Sequence, residues 1–106
     1  MAKRQRRTAQ CLGKTGQAGD VEGVPGIHIE CKNVEKLNID AAYQQSVRDA
    51  EAADRGEYPI VVHKKSRKPA MVTMTLDDWI VMYLAWYKRD RPEKTVDIRI
   101  AGLKVQ

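Results

Sequence analysis

GDVEGVPGIHIECK, residues 19–32, is the stretch on which the reading of this chain turns. Pro25-Gly26 is a turn-forming dipeptide, and it separates two runs with strand character, Asp20 to Val24 and Gly26 to Lys32. Side chains of a strand alternate between its faces, so Ile27, Ile29 and Cys31 share one face, expected to meet the core, and His28, Glu30 and Lys32 share the other. In a hairpin centred on Pro25, Asp20 and Glu30 stand opposite one another. Like charges directly across an antiparallel pair are destabilising, so something positive must lie between them, either a divalent cation or Lys32. Mg²⁺ is held in this way, by one or two carboxylates with waters and phosphate oxygens completing its shell. The other reading is an amphipathic edge strand with a wet polar face, where Glu30 and Lys32 form a weak surface pair.

Working outward, Asn38 is a good helix N-cap. Tyr43, Val47 and Ala50 recur at helical spacing, and Gly56 with Pro59 closes the segment after about four turns. PIVVH (59–63) is a continuous apolar run, as in a strand buried on both faces, and AMVTMT (70–75) reads as the next strand. Thr75 with Asp78 resembles a capping box opening a second helix, whose basic end suits a helix C-terminus. Trp79, Tyr83 and Trp86 on that helix read as core residues. The order strand, strand, helix, strand, strand, helix predicts an α/β fold with a mixed sheet. Residues 1–18 read as a basic arm or loop, 19–90 as the core and 91–106 as an extension, in which the alternation of Val96, Ile98 and Ile100 predicts an added strand.

The chain of 106 residues carries a net charge of +5, and that excess is not spread evenly. Lys3, Arg4, Arg6, Arg7 and Lys14 lie in the first nineteen residues without an acidic neighbour, and Lys64, Lys65, Arg67 and Lys68 cluster on an expected loop. Two basic segments on a small domain suit a polyanion such as a phosphate backbone, or are simply solvated charge. The longest apolar run, Trp79 to Tyr87, is too short to span a membrane, and the basic N-terminus lacks the apolar stretch of a signal peptide. A cytoplasmic protein is the expectation. Cys11 and Cys31 have no CxxC spacing, so a zinc site is not indicated and reduced thiols are expected.

The run DVEGVPGIHIECK resembles the central motif of the PD-(D/E)XK nuclease superfamily, and within it the small phage-type Holliday junction resolvase-like proteins. RRTAQ and GKTG upstream, QSVRDA in the first helix, VVHKK and VTMTLDDW downstream also resemble that group, so the similarity covers about residues 6 to 87. It implies a restriction-endonuclease-like mixed β-sheet flanked by helices, and a bacterial or phage-infected host cytoplasm. Carried over by position, Asp20 matches the motif aspartate, Glu30 the second acidic ligand and Lys32 the motif lysine, while Gly19 stands where the family has proline.

The resemblance implies a Mg²⁺-dependent nuclease, with Mn²⁺ able to substitute, that is structure-selective for branched DNA and works as a homodimer. Asp20, Glu30 and the backbone carbonyl of Cys31 would hold the ion, and Lys32 would orient the attacking water and offset charge on the transition state. Arg6, Arg7, Lys14, Lys64, Lys65 and Arg67 would meet the DNA backbone. A helical glutamine approaches the site in related nucleases, and Gln45 is the residue in that position or a solvated helix residue. His63 is either a phosphate contact or a structural histidine. The family's first helix supplies a further glutamate, whereas no acidic residue precedes Asp20. The expectation is therefore a core lacking that helix, with impaired catalysis and retained nucleic-acid binding as the alternative function.

Overall fold

The computed structural model describes residues 24–102. The chain divides into two compact units, residues 1–74 and 75–106. In the first, strand β1 (Ile27–Asn33), helix α1 (Ile39–Ala53), strand β2 (Tyr58–Lys64) and strand β3 (Met71–Thr73) follow one another. They build a three-stranded sheet of order β1-β2-β3, in which β1 and β2 are parallel and β2 and β3 antiparallel. Parallel neighbours need a long crossover, and α1 supplies it. The expected α/β class and mixed sheet are therefore present. The partner strand expected over residues 20–24 lies outside the described residues apart from Val24, which is not in a strand.

Pro25-Gly26 does form the turn read from the sequence. Ile27 donates its N–H to the Val24 carbonyl at 3.3 Å. Gly26 takes φ +87°, which belongs to the third position of a type II turn and which L side chains rarely adopt. The Gly26 carbonyl then accepts from the Tyr58 N–H at 2.9 Å, so the turn leads directly into the β1–β2 ladder.

Helix α1 starts where Asn38 predicts, with its Oδ1 accepting the Ala41 N–H at 3.0 Å. It ends at Asp54, which takes a left-handed φ of 55° and donates its N–H to the carbonyls of Ala50 and Glu51. The buried stripe differs from the expected one. Ala42, Ser46 and Ala50 are buried, while Tyr43 and Val47 sit at the margin, half-exposed. Small side chains one turn apart let the helix lie close on the sheet, and hydrophobicity alone does not reveal that preference. Ser46 is fully buried and donates its hydroxyl to the Ile60 carbonyl at 2.9 Å, which ties α1 to the central strand.

Strand β2 is central in this sheet, and Ile60 and Val61 at its middle are buried on opposite faces, as the apolar run PIVVH predicts. In β1, Glu30 and Cys31 are both buried, whereas Ile27 and Ile29 are only partly so. The sequence expectation of one apolar core face and one wet face is thus incomplete, because α1 also covers the polar side.

In the second unit, α2 (Leu76–Lys88) begins at Thr75, whose Oγ1 accepts the Asp78 N–H at 3.2 Å. Trp79, Tyr83 and Trp86 were expected in a core. Trp79 and Trp86 are instead exposed, and the rings lie along the helix surface, with Trp79 stacked on Tyr83 at 5.3 Å and Tyr83 on Tyr87 at 6.1 Å. Arg91 caps the row, its guanidinium 4.6 Å from the Tyr87 ring centre. A helical repeat of large rings brings neighbours one turn apart into contact with each other, so the spacing is satisfied within the helix itself. The strand expected around Val96, Ile98 and Ile100 does not form. The segment alternates in burial as predicted, yet only Ile100 makes an isolated bridge.

Candidate metal and phosphate site

Strand geometry puts His28, Glu30 and Lys32 on one face of β1, and the register carries that face across the sheet. Glu30 is level with Val61 and Lys32 with His63 on β2, and Val61 is level with Thr73 on β3. His63 Nε2 lies 2.9 Å from the Thr73 hydroxyl, one of the two acting as donor. His63 therefore has a structural partner on the same face as Lys32.

Glu30 is the focus of this face. Its side chain is nearly inaccessible, at 2% relative exposure, and its Oε2 has no hydrogen-bond partner. Lys32 Nζ stands 3.5 Å from that oxygen, an ion-pair contact rather than a good hydrogen bond. Burial pushes the Glu30 carboxyl above the ordinary carboxylate range. Lys32 opposes the shift chiefly by its charge, Asp49 adds to it, and His28 opposes it weakly. A buried carboxylate with a free lone pair is costly in water-excluded surroundings, and such exceptions concentrate where a ligand completes the shell.

Helix α1 brings Asp49 to the same place. One ligand atom from each of His28, Glu30 and Asp49 lies within 4.8 Å of the other two. The βαβ crossover makes this meeting, since residues 28 and 49 are a whole helix apart in the chain. Asp49 is an addition to the residues that the sequence points to. The available signal was its place four residues after Gln45 in QSVRDA, which puts the two on one side of α1. Gln45 itself is half-buried, one turn before Asp49. His28 Nδ1 is also 3.9 Å from Glu57 Oε1. Glu57 is in turn held by Arg55 through two contacts of 3.1 and 3.3 Å.

The donors fit a divalent cation. Two carboxylates and an imidazole converge, one carboxylate is buried with an unused oxygen, and a lysine sits beside it to balance charge. The remaining residues expected at the site divide as follows. Asp20, Arg6, Arg7 and Lys14 lie outside the described residues. Cys31 is buried in β1, next to Glu30 in the chain. It is disulfide-bonded rather than the reduced thiol expected, because spacing along a chain does not say which sulfurs meet in space.

The basic cluster occupies the β2–β3 turn. Lys68 donates its N–H to the Lys65 carbonyl at 3.2 Å, and Arg67 takes a left-handed φ of 63°. Lys65, Arg67 and Lys68 are exposed and Lys64 partly so. Glu35 anchors this turn from the β1–α1 loop by accepting the Ser66 N–H at 2.7 Å. Between them a cleft of about 510 Å³, lined by residues including Glu35, Asn38, His63 and Lys65, opens at the carboxyl ends of the parallel strands. That end of a parallel sheet is where ligands of open α/β folds usually bind.

No family model, curated protein or solved structure matches the chain. Among the described residues, no helix is long and apolar enough to cross a membrane.

Proposed function

We propose that this chain is a divalent-metal-dependent deoxyribonuclease of the restriction-endonuclease-like type, acting on branched DNA as a homodimer. The observation that carries the reading is the Glu30–Lys32 pair. A nearly fully buried carboxylate with an unpartnered oxygen has an ammonium at 3.5 Å on the same strand face. A purely structural pair at a wet strand edge does not need the acid to be buried, whereas a metal-and-lysine hydrolytic site does, because low local dielectric strengthens both interactions with the phosphate.

The roles follow from chemistry. Glu30, with His28 and Asp49 within reach, would hold the cation, and Asp20 would add a ligand if the chain brings it there. Such a cation would supply Lewis-acid polarisation of a phosphate oxygen and a more acidic water. Lys32 would orient the attacking water and offset the negative charge that develops on the phosphate oxygens in the transition state. Lys64, Lys65 and Arg67, on the turn at the carboxyl end of β2, supply phosphate contacts that position the backbone without reading sequence.

Incubating the purified chain with junction, flap and duplex DNA, with and without Mg²⁺ or Mn²⁺, tests the reading. Metal-dependent cleavage that Lys32→Ala abolishes, with junction cut in preference to duplex, is the expected result. Absence of cleavage on every substrate, or full activity in the Lys32→Ala chain, refutes it. Metal-independent DNA binding without cleavage would instead support the impaired, binding-only alternative.

A further inference from the structure

We propose that His28, Glu30 and Asp49 form a mixed nitrogen–oxygen site that binds a first-row transition-metal dication, Mn²⁺ or Zn²⁺, more tightly than Mg²⁺. The proposal rests on the reading of Glu30 as a metal-holding carboxylate and goes beyond it by naming the ligand set and the class of ion.

Three observations lead to it. The ligand atoms of the three residues lie within 4.8 Å of one another, close enough for one ion to reach all three with the small side-chain adjustments that metal binding brings. Glu30 is nearly fully buried and has an oxygen with no hydrogen-bond partner, so the set is more than a group of solvated acids on a surface. With Nε2 as the ligating nitrogen, His28 would have a carboxylate beyond it, since Glu57 lies 3.9 Å from Nδ1 and is itself held by Arg55. A carboxylate beyond a ligating imidazole sets the ring's orientation and raises its basicity.

The imidazole decides the ion. Mg²⁺ takes oxygen ligands in near-ideal octahedral geometry and gives up water reluctantly. An imidazole nitrogen favours transition metals, and for a given nitrogen–oxygen set affinity rises from Mn²⁺ toward Zn²⁺. With one neutral imidazole and two carboxylates the site neutralises a dication. Lys32, 3.5 Å from Glu30 Oε2, then remains free to meet an anion bound on the metal's open side. Asp49 comes from a helix and the other two from a strand, so the ion would also staple α1 to β1.

The test is metal binding to the purified full-length chain, without DNA. Bound and free Mn²⁺ are separated by electron paramagnetic resonance, and Zn²⁺ and Mg²⁺ are added as competitors. One Mn²⁺ per chain is expected, displaced by Zn²⁺ at lower concentration and by Mg²⁺ only at concentrations at least about ten-fold higher. His28→Ala and Asp49→Ala should each weaken Mn²⁺ binding by about ten-fold or more, and His28→Ala should also narrow the preference for Zn²⁺ over Mg²⁺. Lys32→Ala should bind Mn²⁺ as tightly as the parent or tighter. Circular dichroism establishes that each variant is folded, and His28→Gln and Asp49→Asn, which keep the side-chain shape, replace any alanine variant that is not. Parental Mn²⁺ affinity in a folded His28 or Asp49 variant, or Mg²⁺ competing as well as Zn²⁺, overturns the proposal. A chain that binds Mn²⁺ in this way but cuts no DNA refutes the nuclease reading and leaves the site standing.

Discussion

Replacing Glu30 by glutamine should make the metal-free protein more stable at neutral pH. Glu30 is 2% exposed and its Oε2 lacks a hydrogen bond, so its ionised form carries most of a desolvation penalty, several kcal/mol per buried ion. Lys32 offsets this from 3.5 Å, where two unit charges attract by about 5 kcal/mol at an effective dielectric of about 20. The two are of the same size, and burial, the first cause of the upward shift of the Glu30 pKa, is the larger effect in that direction. Glutamine removes the charge, and with it the ion's desolvation penalty, while keeping an oxygen that can accept from Lys32. Allowing for the loss of the Lys32 pair, Glu30→Gln should gain about 1–2 kcal/mol, or roughly 5–15 °C in Tm for a domain of this size.

The sign with pH follows from proton binding. A folded-state pKa raised above the unfolded value means that the native state holds the proton longer. Glu30 thus contributes its stability below the unfolded pKa of about 4.5, and that contribution is lost as pH rises through the folded value. The difference between the two proteins should be small near pH 4 and reach its full size by pH 8. Differential scanning fluorimetry in EDTA measures it, and saturating Mn²⁺ should reverse the order, because only the parent gains binding energy on folding. A lower Tm for Glu30→Gln at pH 8 in EDTA, or a difference that does not change between pH 4 and pH 8, refutes the account of Glu30 as a carboxylate kept at a cost to stability.

Further outcomes concern the framework and the DNA surface. Ser46→Leu should destabilise by about 1–3 kcal/mol in urea unfolding, since the site under α1 is fully buried and holds only a small side chain, whereas Ser46→Ala, losing one hydrogen bond, should cost about 1 kcal/mol. Asn38→Ala should cost about 1 kcal/mol by removing the cap on Ala41, with Asn38→Ser nearly neutral in the same assay. If Lys64, Lys65 and Arg67 each meet a phosphate, neutralising all three should reduce the slope of log affinity against log salt by up to about 3, measured by fluorescence anisotropy on duplex DNA. An unchanged slope would identify the β2–β3 turn as solvated charge.

Much of this protein is legible in its sequence because local rules govern it. Asn38 and Thr75 predict helix starts by offering side-chain oxygens to N–H groups that lack partners. Pro25-Gly26 predicts a turn because glycine takes φ +87° without strain, and PIVVH predicts a doubly covered central strand. Period-two alternation also places His28, Glu30 and Lys32 on one face. The rest depends on distances between segments, which no local rule contains. Nothing along the chain says that β1 runs parallel to β2, that α1 therefore crosses over the polar face, or that Asp49 arrives beside Glu30 when it does. The same crossover buries Glu30 more deeply than the isoleucines beside it and selects Ala42, Ser46 and Ala50 over Tyr43 and Val47 for the helix contact. Sequence thus determined that His28, Glu30 and Lys32 share one strand face, while tertiary packing decided that Glu30 is the carboxylate that loses its water and that Asp49 stands beside it.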